Sequence, residues 1–487
     1  MSVAAGALVD DALPRVIRRV AIPAVASNLL MTLFASMDAY WVGTRIGPTG
    51  LAAVSTAIFW VWLVVSIAEG VALGVTALAA RRHGEGRPEE AAHVAGGALL
   101  FAVALGFAVG IAGALSVGAL FAFMRTPPEV TALARDYLRT YFLGLPLIYG
   151  FFCVDATFRA SGDTRTPLLL LSVSVACTLF LDPVLILGLG PAPRLGIAGA
   201  AVALVATRGA AFAIGVWLLR RRGMLLAPGR HVGLEALHLS EMVDEAPART
   251  GANRKGGPRT AAASALPRVG DVRAILLVAQ RVLRIGLPTA VTGVIFSFIY
   301  VAMTRTTTHF GTPALAALGL GHRIESWLYM FGIGFGATAA AVVGQNLGAR
   351  QVERAERAGW ITMVFAMAPA LVMAIASLSI PETLARVFTD DPTVVDETAM
   401  YLRINALSQL LLPAEVVLEG ALGGAGDTVP PMITSTALTA MRIPLAAWWA
   451  AIWGPVGIWW AISVTAAGRG VAMMLLWRSG RWKRKTV

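Results

Sequence analysis

Three loop motifs recur in this chain 264 residues apart: Gly47 with Gly311, Gly84 with Gly348, and Asp163 with Asp427. The first pair introduces GLAAVS and ALAALG, the second lies in RRHGEGRPEEA and NLGARQVERA, and the third in FRASGDT and EGALGGAGDT. A constant offset across several apolar segments means two copies of one folding unit. Each copy holds six such segments, an even number. Both copies therefore start on the same side, as parallel repeats about an axis along the membrane normal.

The apolar segments read as helices at 16–43, 51–80, 91–123, 130–158, 166–188 and 196–220, then at 276–304, 313–344, 353–379, 393–421, 428–452 and 455–478. With 57% hydrophobic and 14% charged residues and a mean hydropathy of +0.71, the chain is expected to be an all-α polytopic membrane protein. Twelve transmembrane helices in two six-helix lobes, related by pseudo-two-fold symmetry, follow from the repeat. The first lobe is 1–220 and the second 274–487, which ends in a basic tail. Between them, 221–273 is rich in Gly, Ala, Pro, Arg and Glu and reads as a flexible linker, with a short surface helix at HVGLEALHLSEMVDE.

The net charge of +12 does not point to nucleic acid, because the arginines gather in short loops beside apolar spans. One face collects Arg15, Arg18, Arg19, Arg81, Arg82, Arg220, Arg221, Arg222, Arg350 and the tail. By the positive-inside rule both termini and the linker are expected in the cytoplasm of a cell inner or plasma membrane. Asp10 and Asp11 precede the first apolar run, so no cleaved signal peptide is expected. Cys153 and Cys177 lie in apolar stretches without metal-ligand spacing, and no phosphate-binding G-x-x-x-x-G-K-[ST] loop occurs. Neither a metal site, a cofactor, an enzyme nor an ATP-driven pump is expected.

Two carboxylates stand out. Asp38 lies roughly 30 Å along the first span and Asp182 roughly 24 Å along the fifth, at 1.5 Å per residue. An ionisable group at membrane depth costs roughly 2.5–3.5 kcal/mol on insertion scales and marks a proton or ion path. A wet position near one surface is the plain alternative for Asp38. At the 264-residue offset stand Ala302 and Ala446, so the second copy does without these acids and a coupling role is expected for them. Pro23 favours a kink in the first span.

Other polar residues are possible cavity-lining groups: Glu69, Glu325 beside His322 and Arg323, Glu415 one turn from Glu419, and Arg442, for which Glu415 is a possible partner. Asp155 precedes Arg159 by four residues, the spacing of a helical ion pair, and with its counterpart Glu419 has a structural or gating reading. Gly70 and Gly74, echoed by Gly332 and Gly336, have the spacing of close helix packing. Met31, Phe34, Phe296, Phe298, Tyr300 and Met303 offer an adaptable apolar wall, or plain lipid and core contacts.

The motifs MDAYWVG, FRASGDTRTP, LDPVLILGLGPAPRLGIAGAAVA and VVGQNLGARQVERA, in that order, resemble those of the multidrug and toxic compound extrusion transporters. The similarity lies nearest the bacterial branch named after a DNA-damage-inducible protein. The resemblance covers 16–220 and 276–478. It implies a V of two lobes that extrudes small organic, often cationic or amphipathic, compounds in exchange for protons or sodium ions. It places the family's first-helix acid on Asp38 and its fifth-helix acid on Asp182. Thr178 stands where the family pattern has Asn, and Leu204 where it has a small hydroxyl residue. Both changes remove oxygen ligands, so a proton is favoured over sodium as coupling ion. An inward proton is worth roughly 2.3 kcal/mol per 100 mV. A monomer in the bilayer is expected. The rival readings are a lipid-linked saccharide flippase of a related superfamily, which should show a strongly cationic cavity, and a non-transporting scaffold.

Overall fold

The computed structural model describes the backbone of residues 7–45, 48–123, 128–226 and 269–485. It describes their side chains except at 7, 34–52, 54–56, 58–59, 123, 128–130, 269–274, 301 and 312. Among the described residues every regular element is helical. A short α1 (Ala7–Asp10) precedes α2 (Leu13–Arg45), α3 (Pro48–Gly84), α4 (Pro88–Phe123), α5 (Pro128–Leu143), α6 (Leu145–Ala160), α7 (Arg165–Leu187) and α8 (Ile197–Arg221). The second half holds α9 (Val269–Thr308), α10 (Thr312–Gly348), α11 (Val352–Ser379), the short α12 (Pro381–Arg386), α13 (Pro392–Gly424), α14 (Val429–Trp453) and α15 (Pro455–Arg478). A 3-10 turn, Arg481–Arg484, follows. The core of the linker, 227–268, and with it the expected surface helix, lies outside the described residues.

Ten of these helices are long and apolar enough to cross a membrane, and α5 with α6 makes an eleventh span bent by 52°. The bend falls at Gly144, where the sequence reading ran one helix through; Pro146 follows and cannot donate to a continuous ladder. The twelfth is α14, 25 residues long and so about 37 Å. Pro430, Pro431, Arg442 and a row of hydroxyls dilute its hydropathy. Pro23, expected to kink its helix, lies inside α2, which continues through it.

Helices α2–α8 form one lobe and α9–α15 the other. They meet through α3 against α9 and α2 against α10, two contacts that the 264-residue repeat interchanges. Small residues make the approach possible. A Cβ on Gly70 or Gly286 would overlap the other's carbonyl oxygen, and one on Gly334, the repeat counterpart of Gly70, would stand 2.7 Å from the Cα of Val25. Gly332 and Gly336, expected to echo Gly70 and Gly74, instead face Val416 of α13 within their own lobe. Closeness is greatest at the Arg-rich end, where a Cβ on Gly84 would overlap the Gln345 carbonyl and one on Gly348 the Arg81 carbonyl. These two contacts are also interchanged by the repeat. They close that end of the molecule, and Gln345 Nε2 adds a bond to the Ala160 carbonyl at 2.6 Å.

Both chain ends reinforce the closure. Leu8 of α1 is buried and its carbonyl accepts from Asn346 Nδ2 at 3.4 Å. After α15 the tail folds back, and buried Trp482 stacks on Trp477 with ring centroids 4.0 Å apart. Lys483 pairs with Glu356 at 2.6 Å, Lys485 with Asp427 at 3.2 Å, and the Lys485 carbonyl accepts from Arg81 at 3.0 Å. The other copy of the motif behaves alike, since Asp163 binds Arg222, just past α8, at 2.7 Å. Leu115, Phe180, Val372 and Leu475 stand exposed on outer faces, as lipid contact requires.

Candidate functional site

In the first lobe, Asp182 lies on α7 near the end away from the arginines and is fully buried. Pro183 follows it and has no N–H to give the Leu179 carbonyl one turn back. Also one turn back, Thr178 Oγ1 bonds the Ser174 carbonyl at 2.8 Å and lies 2.6 Å from Thr207 Oγ1 of α8. Thr207 in turn donates to the Ala203 carbonyl at 2.9 Å. Thr207 thus supplies, one turn further on, the hydroxyl that Leu204 lacks. The sequence reading missed it because it compared position 204 alone. Asp38 falls within α2, but its side chain lies outside the described residues.

Deeper in the same lobe Asp155 and Arg159 form the expected pair at 2.7 Å. Arg208, buried on α8, stacks over Phe151 at 5.2 Å and has Asp155 and Tyr141 as electrostatic neighbours. At the lobe's end, Asp163 accepts from the Thr166 N–H at 3.0 Å and its hydroxyl at 2.6 Å. Burial would raise this carboxyl's pKa, yet the Thr166 bonds and the Arg222 pair outweigh it and hold the group below its ordinary 3.8.

The second lobe carries a larger polar network. Glu325 on α10 accepts from Tyr401 Oη at 2.9 Å and lies 3.5 Å from Gln409 Nε2 and 3.9 Å from His322 Nδ1. Arg442 has Glu415 and Glu325 as electrostatic neighbours, but its hydrogen bond goes to a hydroxyl: Nε donates to Thr465 Oγ1 at 3.0 Å. Glu415 is taken by Arg469 of α15 at 2.6 Å, because α13 packs directly on α15. Arg469 was legible by the same criterion as Arg442, an ionisable residue within an apolar run. Burial makes this pair structural first, since removing one partner of such a pair typically costs 3–5 kcal/mol.

The two lobes share a third cluster. Tyr329 on α10 has Glu69 of α3, Glu415 and Glu419 of α13, and Arg469 as electrostatic neighbours. Glu69 and Tyr329 are exposed although both sit in mid-span on helices that touch at Gly84 and Gly348. Their exposure at mid-span, with each other and carboxylates of both lobes as neighbours, marks a polar opening, the cleft, between α3 and α10, beside the α3–α9 and α2–α10 contacts. Phe296, partly exposed, lies with its ring 5.9 Å from the Arg469 guanidinium. Met303 is buried and Tyr300 meets His322 edge-on, so these two are core rather than wall.

The sequence profile of the MatE family matches residues 23–184 and again 288–448, one match per lobe. The chain is 26% identical over 480 residues to "Probable multidrug resistance protein NorM" of Thermotoga maritima, covering 96% of this chain and 93% of that one. It is 25% identical over 472 residues to the "FAD transporter" of Shewanella oneidensis, covering 96% and 95%. Among solved structures, a MOP superfamily transporter from Pyrococcus furiosus superposes with a TM-score of 0.82 at 21% identity, over 100% of each chain. The Vibrio cholerae MATE transporter VcmN gives 0.82 at 20% identity, over 97% and 99%. With a profile match in each of two repeated lobes and relatives aligned nearly end to end, the chain belongs to the MatE family of membrane transporters and is not an enzyme.

Proposed function

We propose that this protein is a secondary active exporter that takes organic cations from the cleft and releases them in exchange for inward-moving protons, with the Arg-rich face in the cytoplasm and the chain acting as a monomer. The observation that carries the reading is the setting of Asp182. A hard cation such as sodium needs several oxygens at once, and one turn before Asp182 stands the short hydroxyl of Thr178, turned back towards the Ser174 carbonyl and Thr207, rather than a longer amide whose carbonyl could reach an ion beside the carboxylate. A proton needs one carboxylate. Coupling is then the titration of Asp182 together with Asp38, and it changes the packing of the first lobe.

Cationic cargo is supported by charge. Around the cleft and the second-lobe network the carboxylates Glu69, Glu325, Glu415 and Glu419 outnumber the guanidiniums Arg442 and Arg469. The same count weighs against the lipid-linked saccharide flippase, whose anionic cargo calls for a cationic cavity. The Shewanella relative is named for FAD, a pyrophosphate ester, and here Arg442 and Arg469 would have to leave carboxylate neighbours to meet one. The test is efflux from proteoliposomes in sodium-free buffer under an imposed pH gradient, with a fluorescent organic cation as cargo. Wild-type protein should transport, while Asp38→Asn and Asp182→Asn should insert normally and lose at least about ten-fold in rate. Transport that waits for a sodium gradient, or unchanged rates in both variants, would overturn proton coupling.

A further inference from the structure

A cavity of about 410 Å³ opens at the Arg-rich end of the second lobe, away from the cleft. Its walls are Asp427 and Pro430 at the start of α14, and Ser479, Arg481, Arg484 and Lys485 beyond the end of α15. The basic wall is pre-shaped, because Trp482 is clamped on Trp477 and Lys483 is tied to Glu356. Asp427 answers the charge of Lys485. Arg481 and Arg484 have no acidic partner among the described residues. Two free guanidiniums and a serine hydroxyl at one cavity make a donor set for phosphate oxygens, which arginine binds through its planar fork.

A second observation concerns what lies toward the bilayer. On the same two helices Val429, Ile433, Val471 and Leu475 are exposed, all within about two turns, roughly 12 Å, of the cavity rim. A ligand that joins an anionic head to apolar chains fits both surfaces. Inorganic phosphate would meet the same guanidiniums and gain nothing from the apolar faces. We propose that this cavity binds the phosphate of an anionic phospholipid whose acyl chains lie along α14 and α15.

The test uses the purified full-length chain in detergent, titrated with phosphatidylglycerol, phosphatidylcholine or inorganic phosphate, with bound lipid counted by native mass spectrometry. Arg481→Gln/Arg484→Gln should weaken phosphatidylglycerol binding about ten-fold or more. Arg15→Gln/Arg357→Gln, which removes the same charge from the same end outside the cavity, should stay within about two-fold of wild type. Should the first variant fail to fold, Arg481→Lys/Arg484→Lys keeps the charge, removes the fork and should still lose affinity several-fold. The proposal is overturned if pocket and control variants lose equally, since attraction is then diffuse. It is also overturned if phosphatidylcholine binds as tightly, or if millimolar phosphate displaces the lipid, which would make this a free-anion site.

Discussion

Thr178 has one hydroxyl proton to give and two acceptors within reach of it, the Ser174 carbonyl and Thr207 Oγ1. Thr178→Val keeps the shape and removes the bond to Thr207, which retains its Ala203 acceptor, so thermal melting should report a loss of about 1 kcal/mol. If coupling runs through the carboxylates alone, proton-driven efflux by this variant should stay within about three-fold of wild type. Asp163 gives a pH-dependent counterpart. Its depressed pKa means that its stabilisation is present above pH 3.8 and is lost as pH falls through the lower folded-state value. Asp163→Ala should therefore cost about 1–2 kcal/mol at pH 7, where it removes a helix cap and an ion pair. The difference from wild type should shrink in melts recorded toward pH 3. At this scale the sequence displayed every ionisable residue in an apolar run but not its partner. Arg442 and Arg469 look alike in one dimension, and only the packing of α13 on α15 decides which of them Glu415 meets.

Helices were the most legible level, because twelve apolar runs separated by Gly, Pro and charged loops leave little choice where each begins and ends, the break at Gly144 inside the fourth run excepted. What periodicity could not reveal was which glycine faces which neighbour. Gly332, Gly334 and Gly336 lie on one helix at alternating positions, and the middle one meets the other lobe while its flanks meet α13. The fixed offset from Gly70 to Gly334 carried that information better than the local G-x-x-x-G spacing did. Position also reverses the sign of a substitution. Gly319 of α10 has open space around it, so Gly319→Ala should follow helix propensity and stabilise by up to about 1 kcal/mol. In Gly348→Ala the same methyl meets the Arg81 backbone, and overpacking of about 1–3 kcal/mol should win, read as a lower melting temperature.

For the whole molecule, the lobe pairing at the Arg-rich end is, under the exchange proposed above, one of two arrangements that the protein must visit. The repeat made two parallel lobes readable in advance, but not which end they close. That depends on contacts between residues hundreds of positions apart. A cysteine pair tests the closure. A Cβ on Gly344 stands 3.0 Å from that of Ala80, within about half an ångström of disulfide range. Ala80→Cys/Gly344→Cys, in a background with Cys153 and Cys177 replaced by serine, should crosslink on mild oxidation. Efflux should then stop and return with reductant, and undiminished efflux by crosslinked protein would mean that this end need not open. While that end is closed, the paired glycine crossings at Gly84 and Gly348 form the fulcrum of a pair of tongs. With arms of about 30 Å, the thickness of the hydrocarbon layer, a rotation of only about 10° about that point moves the far tips by about 5 Å each. A flat organic cation of the kind proposed as cargo needs little more than that to slip between them, so a small rotation of whole lobes would be enough to admit molecules of different outline.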